Sequence, residues 1–247
     1  MKVVLDSHLD ILNGEHTKPN DCFATECEDY SLGLFGIVLN NTEMDSECIK
    51  KSLIKGETQK KYKGSYVMWL HDKTNQKIYV ANDLLSKQSV YYYCKDGLVL
   101  INTSLFDLCA DIRRKGRKPE INYEAVDYFV NSNVFYGDNT YEVNTHFLTA
   151  YSFLVIDCNT KKVTVKRMPI PKMKTINEIS AEEAIDSLER LFSEGCHLQW
   201  QKNEIYKNDQ IITISGGMDS RAVLLHLCKE DGFARIKSYT YAQSQER

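Results

Sequence analysis

Near its C-terminal end the chain commits to one particular topology. Ile211-Ile212-Thr213-Ile214 is a short β-branched run, and Ser215-Gly216-Gly217-Met218-Asp219-Ser220 follows it directly. Apolar residues (Ala222, Val223, Leu225 and Leu227) then lead into a helix expected over about 219–229. A second β-rich run, Arg235-Ile236-Lys237-Ser238-Tyr239-Thr240-Tyr241, comes next. Strand, helix, strand in so short a span is one βαβ crossover, which puts the two strands parallel.

The six-residue link is where chemistry is expected. A buried strand that runs into a helix N-terminus presents backbone N–H groups with no partner in a preceding turn. Their partial positive charge suits a phosphate or pyrophosphate. Gly216 and Gly217 lack Cβ atoms, so the backbone there can bend sharply and approach an anion. Ser215 and Ser220 add hydroxyl donors on either side. Asp219 makes sense as a ligand of a Mg²⁺ ion bridging phosphates, as a helix cap, or as both. The same residues also serve ordinary turns and caps. Five such positions coincide by chance only on the order of once in a few thousand such chains, and the flanking strand and helix are the setting that binding requires. The Gly-Lys-Ser/Thr ending of a Walker loop is absent.

Upstream the pattern differs. Residues 33–40 read as a buried strand, and 65–70 with 77–81 as a hairpin buried on both faces. Residues 90–94 and 98–101 form a second hairpin, turning at Asp96-Gly97. Ser104–Ile112 is a short helix with Leu105, Leu108, Cys109 and Ile112 on one side, and Tyr123–Val130 is another. Phe147–Ile156 and Lys162–Lys166 read as a third strand pair. Residues 1–167 are therefore one strand-rich domain and 168–179 a linker, because Pro169 and Pro171 favour extended chain. Residues 180–247 begin a second domain. It opens with a capping box at Ser180 and Glu183, and Ala184, Leu188, Leu191, Phe192 and Cys196 form a stripe expected to be core packing.

Composition excludes several classes. A net charge of −3 gives no field for collecting nucleic acid or anionic lipid. No apolar run reaches the length of a membrane span, and the N-terminus does not read as a signal peptide. The eight cysteines are scattered, and Cys22 and Cys27 lack a second pair to complete a zinc site. Reduced thiols in the cytoplasm are the expectation. The basic stretch Arg113–Lys118 is expected to be a solvated loop, and His226 a packed histidine.

Ile-Ser-Gly-Gly-Met-Asp-Ser at 214–220 resembles the pyrophosphate loop of the N-type ATP pyrophosphatases. Gly64–Asp72, Val80–Asp83, Val90–Tyr93, Ile121–Phe129 and Gly137–Tyr141 are similar to the glutaminase-type domain of asparagine synthetase-like proteins. The resemblance implies an α+β glutaminase-like sandwich of the N-terminal nucleophile type, then the start of an α/β Rossmann-like ATP pyrophosphatase domain. It implies ATP and Mg²⁺ as cofactors, with Ser215, Gly216, Gly217, Asp219 and Ser220 on the pyrophosphate. Asp219 would take the metal, and Ile214 and Tyr241 would line the adenosine site. A small-molecule or peptide carboxylate is the implied substrate, ammonia or an amine the acceptor, and a homodimer an allowed assembly.

The sequence also departs from that family. Its nucleophile is a cysteine directly after the initiator Met, where this chain has Lys2. The family's Asn-Gly pair reads Asn40-Asn41, and its arginine before Asp83 is Asn82. Asn13-Gly14-Glu15 precedes the strand it should follow and is treated as coincidence. Glutaminase chemistry is thus expected to be lost, with the fold kept as a scaffold. The chain ends at Arg247, before the family's carboxylate pocket and catalytic lysine, so a fragment inactive by itself is expected. The readings that remain open are an amide-forming ligase, a lactam- or peptide-cyclising relative, a non-catalytic nucleotide-binding or scaffold protein, and, disfavoured by the N-terminal domain, a thiolation or sulfate-reducing relative of the same loop.

Overall fold

The apolar runs of the first 170 residues fold into two antiparallel sheets. The computed structural model describes residues 2–5, 9–12, 23–40, 45–170, 172–175, 177–231 and 235–240. The chain is mixed α/β and divides into two compact units, Met1–Ile170 and Pro171–Arg247. In unit 1 the strands are β1 (Lys2–Leu5), β2 (Leu9–Leu12), β3 (Phe23–Glu26), β4 (Tyr30–Val38), β5 (Gly64–Asp72), β6 (Lys77–Asn82), β7 (Tyr91–Lys95), β8 (Leu98–Asn102), β9 (Thr145–Phe147), β10 (Ser152–Asp157) and β11 (Val163–Arg167). One sheet runs β2-β1-β8-β7-β9 and the other β11-β10-β6-β5-β4-β3.

Strand alternation assembles the layers. In β5, Val67 and Trp69 join Ile78, Val80, Leu154 and Ile156 against Tyr92, Val99 and Ile101 of the other sheet and against Val90 and Leu148, which flank its strands. The intervening Tyr66, Met68 and Leu70 point the other way, into a cluster with Ile49 and Leu53 of α1 (Ser46–Lys55) and with Tyr62, which follows α2 (Thr58–Lys61). On the outer face of the five-stranded sheet, Tyr93, Leu98 and Leu100 pack on Leu108 and Ile112 of α3 (Leu105–Arg114). Unit 1 is thus a helix–sheet–sheet–helix stack, which explains why its central strands are apolar on both faces. Trp69 needs one further concession. It lies opposite Gly33, where a Cβ would come within 2.5 Å of the indole.

Local signals account for the connections. Asp96 and Gly97 both have positive φ, 48° and 72°, as a two-residue hairpin turn of this hand requires. Ser104 caps α3 by accepting from the Asp107 N–H, and Asn122 caps α4 (Tyr123–Ser132) by accepting from the Ala125 N–H. The single strand expected over Phe147–Ile156 is instead two. Tyr151 sits at φ 57°, outside extended backbone. The Leu148 N–H bonds to the Val90 carbonyl and the Tyr151 N–H to the Leu84 carbonyl. The chain crosses here from one sheet to the other, with Leu148 buried between them.

Unit 2 begins with α5 (Ala181–Tyr206), whose Ser180–Glu183 capping box has both reciprocal bonds. Then come β12 (Gln210–Thr213), α6 (Met218–Asp231) and β13 (Ile236–Tyr239). β12 and β13 are parallel, with Ile212 opposite Ser238. Cys196, Trp200, Ile212 and Leu227 form the core, flanked by Phe192, Ile214, Val223, Leu224 and Ile236. The apolar stripe of α5 is core only in its second half. Ala184, Leu188 and Leu191 are exposed, because α6 and β12 pack α5 from Phe192 onward. Among the described residues no helix is long and apolar enough to cross a membrane.

Candidate functional site

The loop at 215–220 sits where β12 ends and α6 begins. The Ile214 N–H donates to the Tyr239 carbonyl at 2.9 Å and carries the parallel pairing one residue past β12. The chain then turns on its two serines. The Ser215 N–H donates to Ser220 Oγ at 3.2 Å, the two hydroxyls lie 3.2 Å apart, and the Gly217 N–H donates to Ser215 Oγ at 3.3 Å. Ser220 Oγ also lies 3.3 Å from the Ser215 carbonyl and 3.4 Å from that of Gly217. A hydroxyl has one hydrogen to give, so these contacts are alternatives that hold Ser220 across the mouth of the turn.

Neither glycine has a positive φ. Among the described residues a Cβ at Gly216 would meet nothing within 4 Å, and one at Gly217 only Ser215 Oγ at 3.4 Å. The chain does bend at Gly216 and Gly217, through φ values that do not require glycine. What their bare backbone leaves is open space beside the first turn of α6, whose leading N–H groups have no carbonyl in a preceding turn.

Asp219 is exposed and has no ion-pair or hydrogen-bond partner among the described residues. No group of three metal-ligating side chains occurs among them. A lone carboxylate fits Mg²⁺ only in the way that ion is usually held, by one or two carboxylates with phosphate oxygens and water. Ile214 is half-buried at the edge of the unit 2 core. Tyr241 lies outside the described residues. A groove of about 470 Å³ between α5, β12 and α6, lined by Leu191, Cys196 and Ile211 among others, includes none of residues 215–220.

One neighbour escaped the sequence reading. Arg221 Nε donates to the Gly217 carbonyl at 3.1 Å, which fixes a guanidinium beside the loop. Its only signal in sequence is a cation in the first turn of a helix, where the dipole disfavours positive charge.

In unit 1, Asn40, Asn82 and Asp83 do structural work, and Asn41 lies outside the described residues. Asn40 Nδ2 donates to the Lys61 carbonyl and Asn40 Oδ1 accepts from the Lys63 N–H, clamping the approach to β5. Asn82 is fully buried and its Nδ2 donates to the Gln88 carbonyl. Asp83 accepts from the N–H groups of Leu85, Lys87 and Gln88. The seven described cysteines are free, and Cys22 and residues 13–15 lie outside the described residues. Burial, with Asp157 adding to it, pushes the Cys158 thiol up to about 11, and burial also raises those of Cys94, Cys109 and Cys196. These thiols stay protonated and poorly nucleophilic at neutral pH. In the basic stretch, Arg114 pairs with Asp111 and Arg117 with Asp96. His226 Nδ1 lies 2.9 Å from the Ala222 carbonyl, and the ring packs edge-on to Phe192.

No protein-family profile matches the chain, and no curated protein does. Among solved structures it aligns with glutamine phosphoribosylpyrophosphate amidotransferase from B. subtilis complexed with ADP and GMP, at 12% identity and a TM-score of 0.35, over 94% of this chain and 50% of that one. It also aligns with a structure described as the allosteric regulatory enzyme of purine biosynthesis, at 11% identity and a TM-score of 0.34, over 89% and 46%. The chain spans about half the length of these structures.

Proposed function

We propose that unit 2 carries the ATP pyrophosphate loop of an amide-forming ligase related to the asparagine synthetases. The observation that carries the reading is the open space at Gly216, a glycine that neither backbone strain nor packing among the described residues explains. Beside it stand two serine hydroxyls, the N-terminus of α6, a free Asp219 carboxylate and the tethered Arg221 guanidinium. These residue types fit a magnesium-bound polyphosphate: N–H groups and hydroxyls donate to its oxygens, the guanidinium offsets charge, and the carboxylate takes the metal.

ATP supplies the α-phosphorus that a carboxylate oxygen attacks, releasing pyrophosphate, and ammonia or an amine then displaces AMP from the acyl carbon. The loop's part is to hold the leaving pyrophosphate, as fixed donors do where negative charge develops. Substrate carboxylate and amine belong to regions of the protein that this loop does not define. A cyclising relative would use the same loop, with the amine in the same molecule as the carboxylate.

Gly216→Val and Asp219→Ala test the reading directly. Both positions are exposed, so the fold should be unchanged by circular dichroism while ATP–Mg²⁺ affinity drops at least about tenfold, the loss of roughly 1.4 kcal/mol. Unchanged affinity in both variants sinks it. In a full-length protein that carries this chain, intact ATP binding without any carboxylate-dependent exchange of pyrophosphate into ATP would leave a nucleotide-binding scaffold as the better account.

A further inference from the structure

Unit 1 holds a cavity that the proposed reaction does not use. It measures about 320 Å³ and is lined by Asn122, Glu124, Ala125, Tyr128, Tyr136 and Asn139. Glu124, Ala125 and Tyr128 share one face of α4, since positions one turn apart align. Tyr136 and Asn139 come from the segment that follows the helix, after Asn133 closes α4 at φ 59°.

Aromatic packing fixes that segment against the helix. Phe135 stacks on Phe129 at 4.8 Å, and Tyr141 meets Phe135 edge-on at 4.6 Å. The Asn122 N–H donates to the Tyr141 carbonyl, and Asn139 Nδ2 donates to the Tyr136 carbonyl at 2.9 Å. The walls are thus set before any ligand arrives, which lowers the cost of binding.

The charged and aromatic groups among them are all electron-rich. The Tyr128 and Tyr136 rings lie 5.9 Å apart and are inclined at 58°, so they form a corner and do not cover one another face to face. Tyr136 is 72% exposed. Glu124 has no ion-pair or hydrogen-bond partner among the described residues, and no cationic side chain lines the cavity. Two electron-rich rings and a carboxylate with no ion-pair partner among the described residues, its charge offset only in part by the α4 N-terminus, make a surface that attracts cations. The volume is at the small end of ligand sites. Bare ammonium groups hold their water tightly, whereas alkylated ones give it up more readily to aromatic faces.

We propose that this cavity binds an organic ammonium ion, with the alkylated nitrogen against Tyr128 and Tyr136 and its charge balanced by Glu124. The ion is either a free small molecule or the side chain of a methylated lysine.

The test titrates the full chain with choline and, separately, with 3,3-dimethylbutan-1-ol, which has the same shape without the charge, following the tyrosine ring resonances by NMR. Choline should bind at least about threefold more tightly. Tyr136→Ala should weaken choline about two- to fivefold, the value of one exposed cation–π contact, while Tyr136→Phe should retain binding. Glu124→Gln should weaken choline and leave the alcohol unchanged. A trimethyl-lysine peptide separates the sources: tighter binding than choline assigns the site to a protein-borne cation, and weaker binding to a free one. Equal affinity for choline and the alcohol, no binding of choline, or a Tyr136→Ala variant that binds choline normally would overturn the proposal.

Discussion

Strand β5 of unit 1 and helix α5 of unit 2 carry equally clear apolar patterns and meet different fates. Val67, Met68, Trp69 and Leu70 are all nearly or fully buried, because a sheet covers one face of β5 and helices the other. On α5, Ile185, Leu188 and Leu191 are more than half exposed, and on β12 Ile211 is 60% exposed. An apolar stripe specifies which face seeks cover. How many layers exist to supply it is a property of topology, and two parallel strands with two helices offer few.

The largest effect should therefore lie in unit 1. Trp69→Ala empties the space between the sheets opposite Gly33 and should cost about 3–5 kcal/mol. Because the chain has two units, the readout should be unit-resolved: hydrogen exchange of the β4–β6 amides under native conditions, with no equal loss in α6. A loss shared equally by both units would show that they unfold as one, and the contrast between them would collapse.

A smaller effect isolates local from tertiary stability. Ser180→Ala removes the hydroxyl that accepts from the Glu183 N–H and donates to the Glu183 carboxylate, and it leaves the reciprocal Ser180 N–H bond to that carboxylate in place. The expected cost is about 1 kcal/mol. It should appear first as faster exchange at the start of α5, where neighbours contribute little. An effect spread evenly to Trp200 would mean that the first turns of α5 are tied to the core after all.

The elements legible in sequence are those fixed by local chemistry. Asp96-Gly97, Ser104, Asn122 and Ser180 state turns and caps in residues adjacent to the backbone groups they serve. The paired strands were readable because two-sided burial leaves uninterrupted apolar runs. The break at Leu148–Tyr151 was not readable, since bonds to Val90 and Leu84, far away in sequence, decide it. For the loop, residue types raise the expectation of an anion site, whereas the open space at Gly216 among the described residues and the tether of Arg221 are facts of three dimensions.

Protonation probes the burial of β5 from another side. Burial of His71, and next the nearby Lys73 charge, hold its pKa below the ordinary value of 6.5, with Glu26 and Asp72 opposing. The unfolded chain then binds this proton more readily than the folded one. Its contribution is fully present above the unfolded value and is lost as pH falls from there toward the folded pKa. Unit 1 should lose stability between neutral pH and mildly acid pH with a slope of less than one proton. His71→Gln should flatten that difference, measured by urea unfolding at stepped pH. An identical slope in the variant would place the titrating group elsewhere.

The smallest effect carries the sharpest test of the comparison. Leu188 is 67% exposed on α5, so replacing it by serine removes little buried area, and the change in helix preference is a few tenths of a kcal/mol. Leu188→Ser should alter stability by no more than about 0.5 kcal/mol, as surface substitutions do. The measurement is hydrogen exchange of α5 and α6, repeated at several protein concentrations. A cost above about 1.5 kcal/mol would mean that water is not what faces this residue in solution. If that cost also grew with protein concentration, a second copy would be the cover, because association stabilises by mass action. A large cost independent of concentration would place the cover within the same molecule. In either case the contrast between β5 and α5 would become one of which chain segment supplies the missing layer.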